Sequence, residues 1–132
     1  MQLVDDWLDR KLQSYRLLDH PATVTHEWKR MTGRVLRAGL TLSARPAEAF
    51  SFTSAVEWPV PEVSRYEQMV VDGVLDALIA PAGWAEPVLG AAFVLEEIQW
   101  DAEGSVALAF YMAAREAAQI IIEGKIGRRA SV

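Results

Sequence analysis

The sequence predicts an α+β domain in which three strands precede a helix, a fourth strand and a last helix, with a further helix in front of them. Hydrophobic residues alternate with period two in three segments between residues 23 and 58, which is typical of strands with one buried and one solvated face. Helical periodicity marks residues 64–79 and 105–123. The length of 132 residues fits one domain.

Residues 1–22 are predicted to form an amphipathic helix that packs on the domain. Its apolar residues recur at helical spacing and are Leu3, Val4, Trp7, Leu8, Leu12 and Tyr15. Acidic residues come early in residues 3–18 and basic residues late, which suits the helix dipole. Asp19-His20-Pro21 ends the helix, because the residue before a proline avoids helical backbone angles.

Three strands follow, over residues 23–30, 34–44 and 50–58. Thr32-Gly33 is expected to form the turn between the first two. Val24, His26 and Trp28 share one face of the first strand. The second alternates most clearly, with Leu36, Ala38, Leu40, Leu42 and Ala44 on one side. One-sided burial favours antiparallel pairing through hairpins.

A helix over residues 64–79 carries Gly73 in the middle of its apolar face, where glycine costs about 1 kcal/mol of helix propensity against alanine. We expect the helix backbone to approach the sheet closely at Gly73. The fourth strand is predicted over residues 88–100, and a turn at residues 101–104 leads into the last helix.

The last helix, residues 105–123, has two apolar stripes. The core stripe contains Val106, Phe110, Ala113, Ala117, Ile120 and Ile121. The flanking stripe contains Ala107, Tyr111, Ala114, Ala118 and Ile122. The flanking stripe needs a cover, which is either the N-terminal helix or a second subunit. We therefore treat Tyr111, Ala114, Ala118 and Ile122 as a candidate interface. Residues 124–132 are predicted to be a flexible tail.

Composition excludes some classes of protein. The net charge of −5 disfavours non-specific nucleic-acid binding by the chain as a whole. The absence of cysteine excludes disulfides and thiolate metal sites. The N-terminus lacks the basic region of a signal peptide, and no apolar run reaches the length of a membrane span. We expect a cytoplasmic protein that is not bound to a membrane.

Residues that could carry catalysis are sparse. Two histidines are expected to stay apart, His20 on the surface and His26 half-buried and hydrogen-bonded, so a shared metal is not expected. Glu96 and Glu97 should point to opposite faces of a strand, and we expect them to be solvated or ion-paired rather than an acid–base pair. Asp72 and Asp76 are placed on a solvated helix face. No catalytic residue, metal, cofactor or small-molecule substrate is predicted.

The first hairpin holds the one candidate nucleic-acid site. It consists of a basic cluster with an aromatic neighbour and the turn between the strands: Trp28, Lys29, Arg30, Thr32, Gly33, Arg34 and Arg37. Such a cluster can contact RNA phosphates. Charges that protect a solvated strand edge from pairing explain it equally well.

An ordered set of short features runs along residues 29–123. It begins with Lys29-Arg30-Met31-Thr32-Gly33-Arg34 and an alternating strand ending at Pro46. Phe50 and Phe52 follow, then a helix with Tyr66-Glu67 and Val71-Asp72-Gly73-Val74. The set closes with Pro87-Val88, Ser105 and Ala109-Phe110 before an alanine-rich run. In this order, residues 23–123 resemble domain IV of the translational GTPases of the elongation factor G class.

The resemblance implies a two-layer β-β-β-α-β-α sandwich whose β-α-β crossover is left-handed, an exception to the usual rule. In that family, loops at the tip of domain IV enter the ribosomal decoding site. Thr32-Gly33 matches one tip loop. The other is shortened here to Gln99–Gly104 and has no histidine, which leaves Trp100 and Asp101 as candidate tip residues. The chain has no phosphate-binding Gly-x-x-x-x-Gly-Lys motif, so it is not expected to hydrolyse GTP.

Two functions remain open. The first is a non-enzymatic binding module that acts on RNA or the ribosome. The second is a protein-interaction or oligomerisation domain that kept the fold and lost nucleic-acid binding.

Overall fold

The structure, a computed structural model, describes residues 16–79 and 87–129, with only the backbone described for Arg16, Thr32, Arg34 and residues 124–129. Its strands are β1 (Arg16–Leu18), β2 (Ala22–Thr32), β3 (Arg34–Pro46), β4 (Ser51–Ser54), β5 (Ala91–Gln99) and β6 (Ile126–Arg129). Its helices are α1 (Val63–Ile79) and α2 (Ala107–Lys125). Residues 3–15 of the predicted N-terminal helix lie outside the described residues.

The main sheet has the strand order β2-β3-β5-β4. β2 and β3 form the predicted antiparallel hairpin, and β3 pairs antiparallel with β5. α1 connects β4 to β5, which are parallel neighbours. The α+β class and the sandwich of a four-stranded sheet with two helices are therefore confirmed. The hand of the β4-α1-β5 crossover stays a prediction.

The third predicted strand differs from expectation in length and direction. β4 covers only Ser51–Ser54 and pairs in parallel with β5, whereas residues 50–58 were predicted to pair antiparallel. Alternation of Phe50 and Phe52 with serine and threonine indicates only that one face of the strand is buried. An edge strand shows the same alternation whether it pairs parallel or antiparallel with its neighbour. Beyond β4 the chain leaves the sheet, and Trp58 enters the core at 9% exposure.

The core lies between the sheet and the two helices. Ala38, Leu40, Leu42 and Ala44 of β3 are all buried, which confirms the predicted alternation. Phe110 of α2 is fully buried at the centre of an aromatic cluster with Trp58, Tyr66 and Trp100. Its ring lies 5.0 Å from that of Trp58 in an edge-to-face arrangement and 5.7 Å from that of Trp100 in a stacked one, both favourable geometries for aromatic pairs.

The cover of the last helix is α1, and this corrects two predictions. Ala114, Ala118 and Ile122 are buried within the chain, so the candidate interface through them is wrong. A Cβ built on Gly73 would overlap the backbone oxygen of Tyr111 and lie 3.2 Å from the Cβ of Ala114. Gly73 therefore permits close approach of α1 to α2, not to the sheet as expected. The predicted core residue Ile120 is 45% exposed.

Both ends of the described chain form a second, two-stranded sheet. β1 pairs antiparallel with β6, with Leu18 opposite Ile126. Leu18 is buried, and its amide donates a hydrogen bond to the carbonyl of Gly90. Arg16–Leu18 is thus a strand rather than the end of a helix, and Ile126–Arg129 is a strand rather than a free tail. Helical spacing could not anticipate this pairing between residues more than a hundred positions apart.

Candidate functional site

The β2–β3 hairpin extends beyond the rest of the main sheet. β3 pairs with β5 only from Gly39 onwards, so residues 28–38 pair only with each other within the sheet. We call residues 28–38 the arm. Its turn is at Gly33, whose φ of 69° lies in the left-handed region that glycine adopts without strain. The arm contains four basic and no acidic residues.

The strand register divides the predicted basic cluster between the two faces of the arm. Lys29 lies opposite Arg37 on the solvated face of the sheet, whereas Trp28 and Arg30 point to the other face. The Arg30 guanidinium lies over the Trp28 ring at 5.8 Å from its centroid, a cation–π geometry. For Thr32 and Arg34 the structure places only the backbone, beside the turn.

Glu27, at the base of the arm, partly neutralises one of its cations. Arg37 Nη2 donates a hydrogen bond to Glu27 Oε2 at 3.2 Å, and both side chains are nearly half exposed. An exposed pair of this kind contributes little to stability. It does orient Arg37 along the solvated face, next to Lys29.

Sequence reasoning missed an apolar patch near the end of the arm. Met31 is 70% exposed and Val35 is 42% exposed, and they are cross-strand partners. They share the solvated face with Lys29 and Arg37. The signal was present in the sequence, because Met31 and Val35 occupy positions that alternation assigns to the solvated face.

The predicted tip-loop residues hold the structure together instead of forming a free tip. Trp100 belongs to the aromatic cluster. Asp101 Oδ1 accepts hydrogen bonds from the amides of Glu103 and Gly104, at 2.9 and 3.1 Å. These two bonds lower the pKa of the Asp101 carboxyl below its ordinary value. Burial opposes them, and the positive charge of Arg37 adds a smaller lowering contribution.

The same loop supports the arm at its base. The amide of Arg37 donates to the carbonyl of Gly104 at 2.9 Å, and the Ser105 hydroxyl donates to the carbonyl of Arg37 at 2.8 Å. Ser105 also accepts a bond from the amide of Asp101 at 2.9 Å. A side chain on Gly104 would lie 3.0 Å from the carbonyl oxygen of Val35. The arm therefore leaves the sheet from a rigid base.

Each of the two histidines lies beside a carboxylate. His26 Nε2 lies 2.7 Å from Glu116 Oε1 and joins β2 to α2, which confirms the half-buried, hydrogen-bonded histidine. His20 is exposed beside Asp19, as predicted. Within residues 16–79 and 87–129, no three His, Cys, Asp or Glu side chains are grouped to hold a metal ion.

Glu96 and Glu97 correct a detail of the sequence argument. Both are exposed, because the β3–β5 register shifts between Thr41 and Leu42 and makes room for an extra residue. They do not point to opposite faces as a regular strand would require. Glu96 accepts a hydrogen bond from the Ser43 hydroxyl at 2.9 Å, and the expected solvated environment is confirmed.

A groove runs along the outer side of the α1–α2 seam. In it the Tyr111 hydroxyl donates a hydrogen bond to Asp76 Oδ2. This bond raises the pKa of Tyr111, burial adds to the rise, and Arg115 opposes it. Arg115 Nε is buried in the groove wall and has no hydrogen-bond partner among the described residues. The solvated helix face predicted around Asp72 and Asp76 is thus one wall of a groove.

Comparisons with known proteins bear on the fold. No protein-family model matches the chain, and no curated protein matches it. Among 71 matching solved chains is the protein ttk003000868 from Thermus thermophilus, which is similar at a TM-score of 0.72 and 21% sequence identity. The match covers 83% of this chain and only 17% of that one. No helix in the described part of the chain is long and apolar enough to cross a membrane.

Proposed function

We propose that this protein is a non-enzymatic binding module of the translation apparatus that inserts its β2–β3 arm between segments of ribosomal RNA. The observation that carries the proposal is the arm itself. It projects beyond the sheet from a braced base and carries only positive charge, in a chain whose net charge is −5. The resemblance to domain IV of elongation factor G-class proteins supports the same role, and that role would place the protein in the cytoplasm.

The division of cations between two faces favours insertion over flat docking. Lys29 and Arg37 project from one face and Arg30 from the other, so a ribbon lying flat on RNA would use only part of the charge. A ribbon between two RNA segments meets phosphates on both sides. Trp28, which packs against the core, holds the Arg30 guanidinium over its ring.

The similarity to ttk003000868 supports a module derived from a larger protein. This chain corresponds to 17% of that chain, so the same fold is found there as a minor part of a much longer polypeptide. Domain IV occupies such a place in the elongation factor G class.

Co-sedimentation with purified ribosomes at increasing salt tests the proposal. We expect Lys29→Glu and Arg30→Glu each to weaken binding, since the two side chains lie on opposite faces of the arm. Arg45→Glu makes the same charge change at an exposed position at the far end of β3 and is expected to leave the arm's contacts unchanged. Failure of the unmodified protein to sediment with ribosomes even at low salt would reject the proposal.

The second candidate function is docking of a protein partner on the arm, favoured by the exposed Met31 and Val35. The Met31→Ser substitution distinguishes protein docking from RNA contact. A protein partner that buries Met31 would lose most of its affinity, because apolar contacts at the centre of an interface dominate binding. The affinity for RNA would change little, because Met31 makes no contact with phosphates. Oligomerisation through Ala114, Ala118 and Ile122 is no longer a candidate, because those side chains are buried.

A further inference from the structure

We propose that two copies of this chain associate through the outer edges of their β2 strands, in an antiparallel pairing centred on Trp28. The strand order β2-β3-β5-β4 makes β2 an edge of the main sheet. Within residues 16–79 and 87–129, no strand pairs with its outer side. The association joins the two four-stranded sheets into one continuous sheet. The inference does not depend on the proposed RNA contact.

The outer edge of β2 is long and regular. β2 has 11 residues, Ala22–Thr32, without proline or glycine, and its register with β3 is unbroken. The opposite edge strand, β4, has only 4 residues. Proteins usually protect a long edge with a bulge, a proline or a covering segment, because its free amides and carbonyls pair readily with another strand. In the described part of the chain β2 has none of these, so its edge can accept a further strand.

Two-fold symmetry restricts the register of this pairing. An axis perpendicular to the sheet keeps the helices of both copies on the same side, and each residue then pairs with a residue on the same face of the other strand. An axis through Glu27 gives full overlap of the strands but sets the two Glu27 carboxylates opposite each other, which is destabilising. Moving the axis by one residue, to Trp28, removes this repulsion.

The new register brings opposite charges together on both faces of the joined sheet. On the solvated face, Lys29 of each copy comes opposite Glu27 of the other, a favourable cross-strand pair. On the helix side, Arg30 comes opposite His26 of the second copy. The Nε2 atom of His26 lies 2.7 Å from Glu116 Oε1, and the Glu116 side chain is 36% exposed. Glu116 can therefore accept the incoming guanidinium of Arg30.

The neighbouring register, with its axis through His26, lacks this complementarity. It sets Lys29 opposite Thr23 and Glu27 opposite Thr25, and so forms no ion pair on the solvated face. Charge therefore selects the axis through Trp28. The basic residues that could protect the edge from foreign strands are the ones that fit a second copy.

The dimer and the proposed RNA complex exclude each other, because both use Lys29 and Arg30. The dimer is accordingly the form of the protein without RNA, and its mass is measured without RNA. A protein that is always monomeric would still have the arm available for RNA, so the two proposals fail separately.

Disulfide cross-linking tests the register, because the chain has no cysteine of its own. Thr25 and Met31 are exposed and uncharged, and they come opposite each other across the axis through Trp28. We expect Thr25→Cys protein mixed with Met31→Cys protein to form a disulfide between chains under mild oxidation. Thr23→Cys mixed with Met31→Cys is the control, displaced by about 7 Å along the strand, and should cross-link more slowly. Equal rates would overturn the assigned register.

Sedimentation equilibrium with exchanged charges tests the association itself. We expect a dimer that forms as the protein concentration rises. Lys29→Glu and Glu27→Lys should each raise its Kd at least about tenfold, because each sets like charges opposite each other at two places. The double variant Glu27→Lys/Lys29→Glu should restore the dimer, since it recreates both ion pairs with the charges exchanged. Arg45→Glu, at an exposed position outside β2, is the control and should leave the Kd unchanged.

Two results would overturn the proposal. One is a monomer at every concentration of the unmodified protein. The other is a double variant that associates as weakly as the single variants, because a pairing of Lys29 with Glu27 across the axis requires the exchange to restore it.

Discussion

Replacing Gly73 with alanine tests how the two helices pack. The new Cβ would overlap the backbone oxygen of Tyr111 and lie 3.1 Å from the backbone nitrogen of Arg115. Neither atom belongs to a flexible side chain, so the helices must move apart. Overpacking of this kind costs about 1–3 kcal/mol, and alanine returns about 1 kcal/mol of helix propensity. We expect a net loss of up to about 2 kcal/mol in the free energy of unfolding.

Urea unfolding followed by tryptophan fluorescence measures this loss, since Trp58 and Trp100 lie in the aromatic cluster between α1 and α2. Arg65→Ala, at an exposed position of the same helix, is the control and should change stability by less than about 0.5 kcal/mol. Adding Ala114→Gly to Gly73→Ala should not restore stability, because the nearest obstacle is backbone. An increase in stability with Gly73→Ala would refute the close approach of α1 to α2.

Three further predictions concern the core and the two hydrogen-bonded carboxylates. Phe110→Ala should cost about 3–5 kcal/mol in urea unfolding, and a loss below about 1 kcal/mol would contradict its place in the aromatic cluster. The pKa of Asp101 is lowered in the folded protein, so its contribution to stability is present above its ordinary pKa of 3.8 and is lost as the pH falls through the folded value. We expect Asp101→Asn to be less stable than the unmodified protein at neutral pH and to lose less stability as the pH falls. Glu57→Gln, at an exposed position, is the control and should lose as much stability on acidification as the unmodified protein. The raised pKa of Tyr111 gives stability that is present below its ordinary value of 10.0 and is lost as the pH rises through the folded value. Asp76→Asn should lower the pKa of Tyr111 in an ultraviolet titration, and an unchanged titration would contradict the hydrogen bond.

Local periodicity was sufficient to predict most of the fold. The alternation from Leu36 to Ala44 predicts one face of β3 that is almost wholly buried, and burial of Ala38, Leu40, Leu42 and Ala44 confirms it. A glycine in the middle of the apolar face predicts that the backbone of α1 approaches another element of the fold closely at Gly73. Periodicity identifies a buried face but not the element that covers it, so the partner of Gly73 had to come from the tertiary structure.

The site was harder to predict, because it depends on which face each residue occupies. Lys29, Arg30 and Arg37 form one basic cluster in the sequence. The strand register nevertheless places Arg30 on one face of the hairpin and Lys29 and Arg37 on the other. Trp100 and Asp101 resemble a free loop in the sequence, and only long-range contacts with Phe110 and Arg37 reveal their structural roles. Pairing of Leu18 with Ile126 leaves no local signal at all.

The dependence of ribosome affinity on salt tests the proposed role of the arm most directly. Each phosphate contact that is lost reduces the slope of log affinity against log salt concentration by about one. We expect the double variant Lys29→Glu/Arg30→Glu to bind more weakly than the unmodified protein and to show a slope smaller by about two. An unchanged affinity and an unchanged slope would contradict RNA contact by the arm.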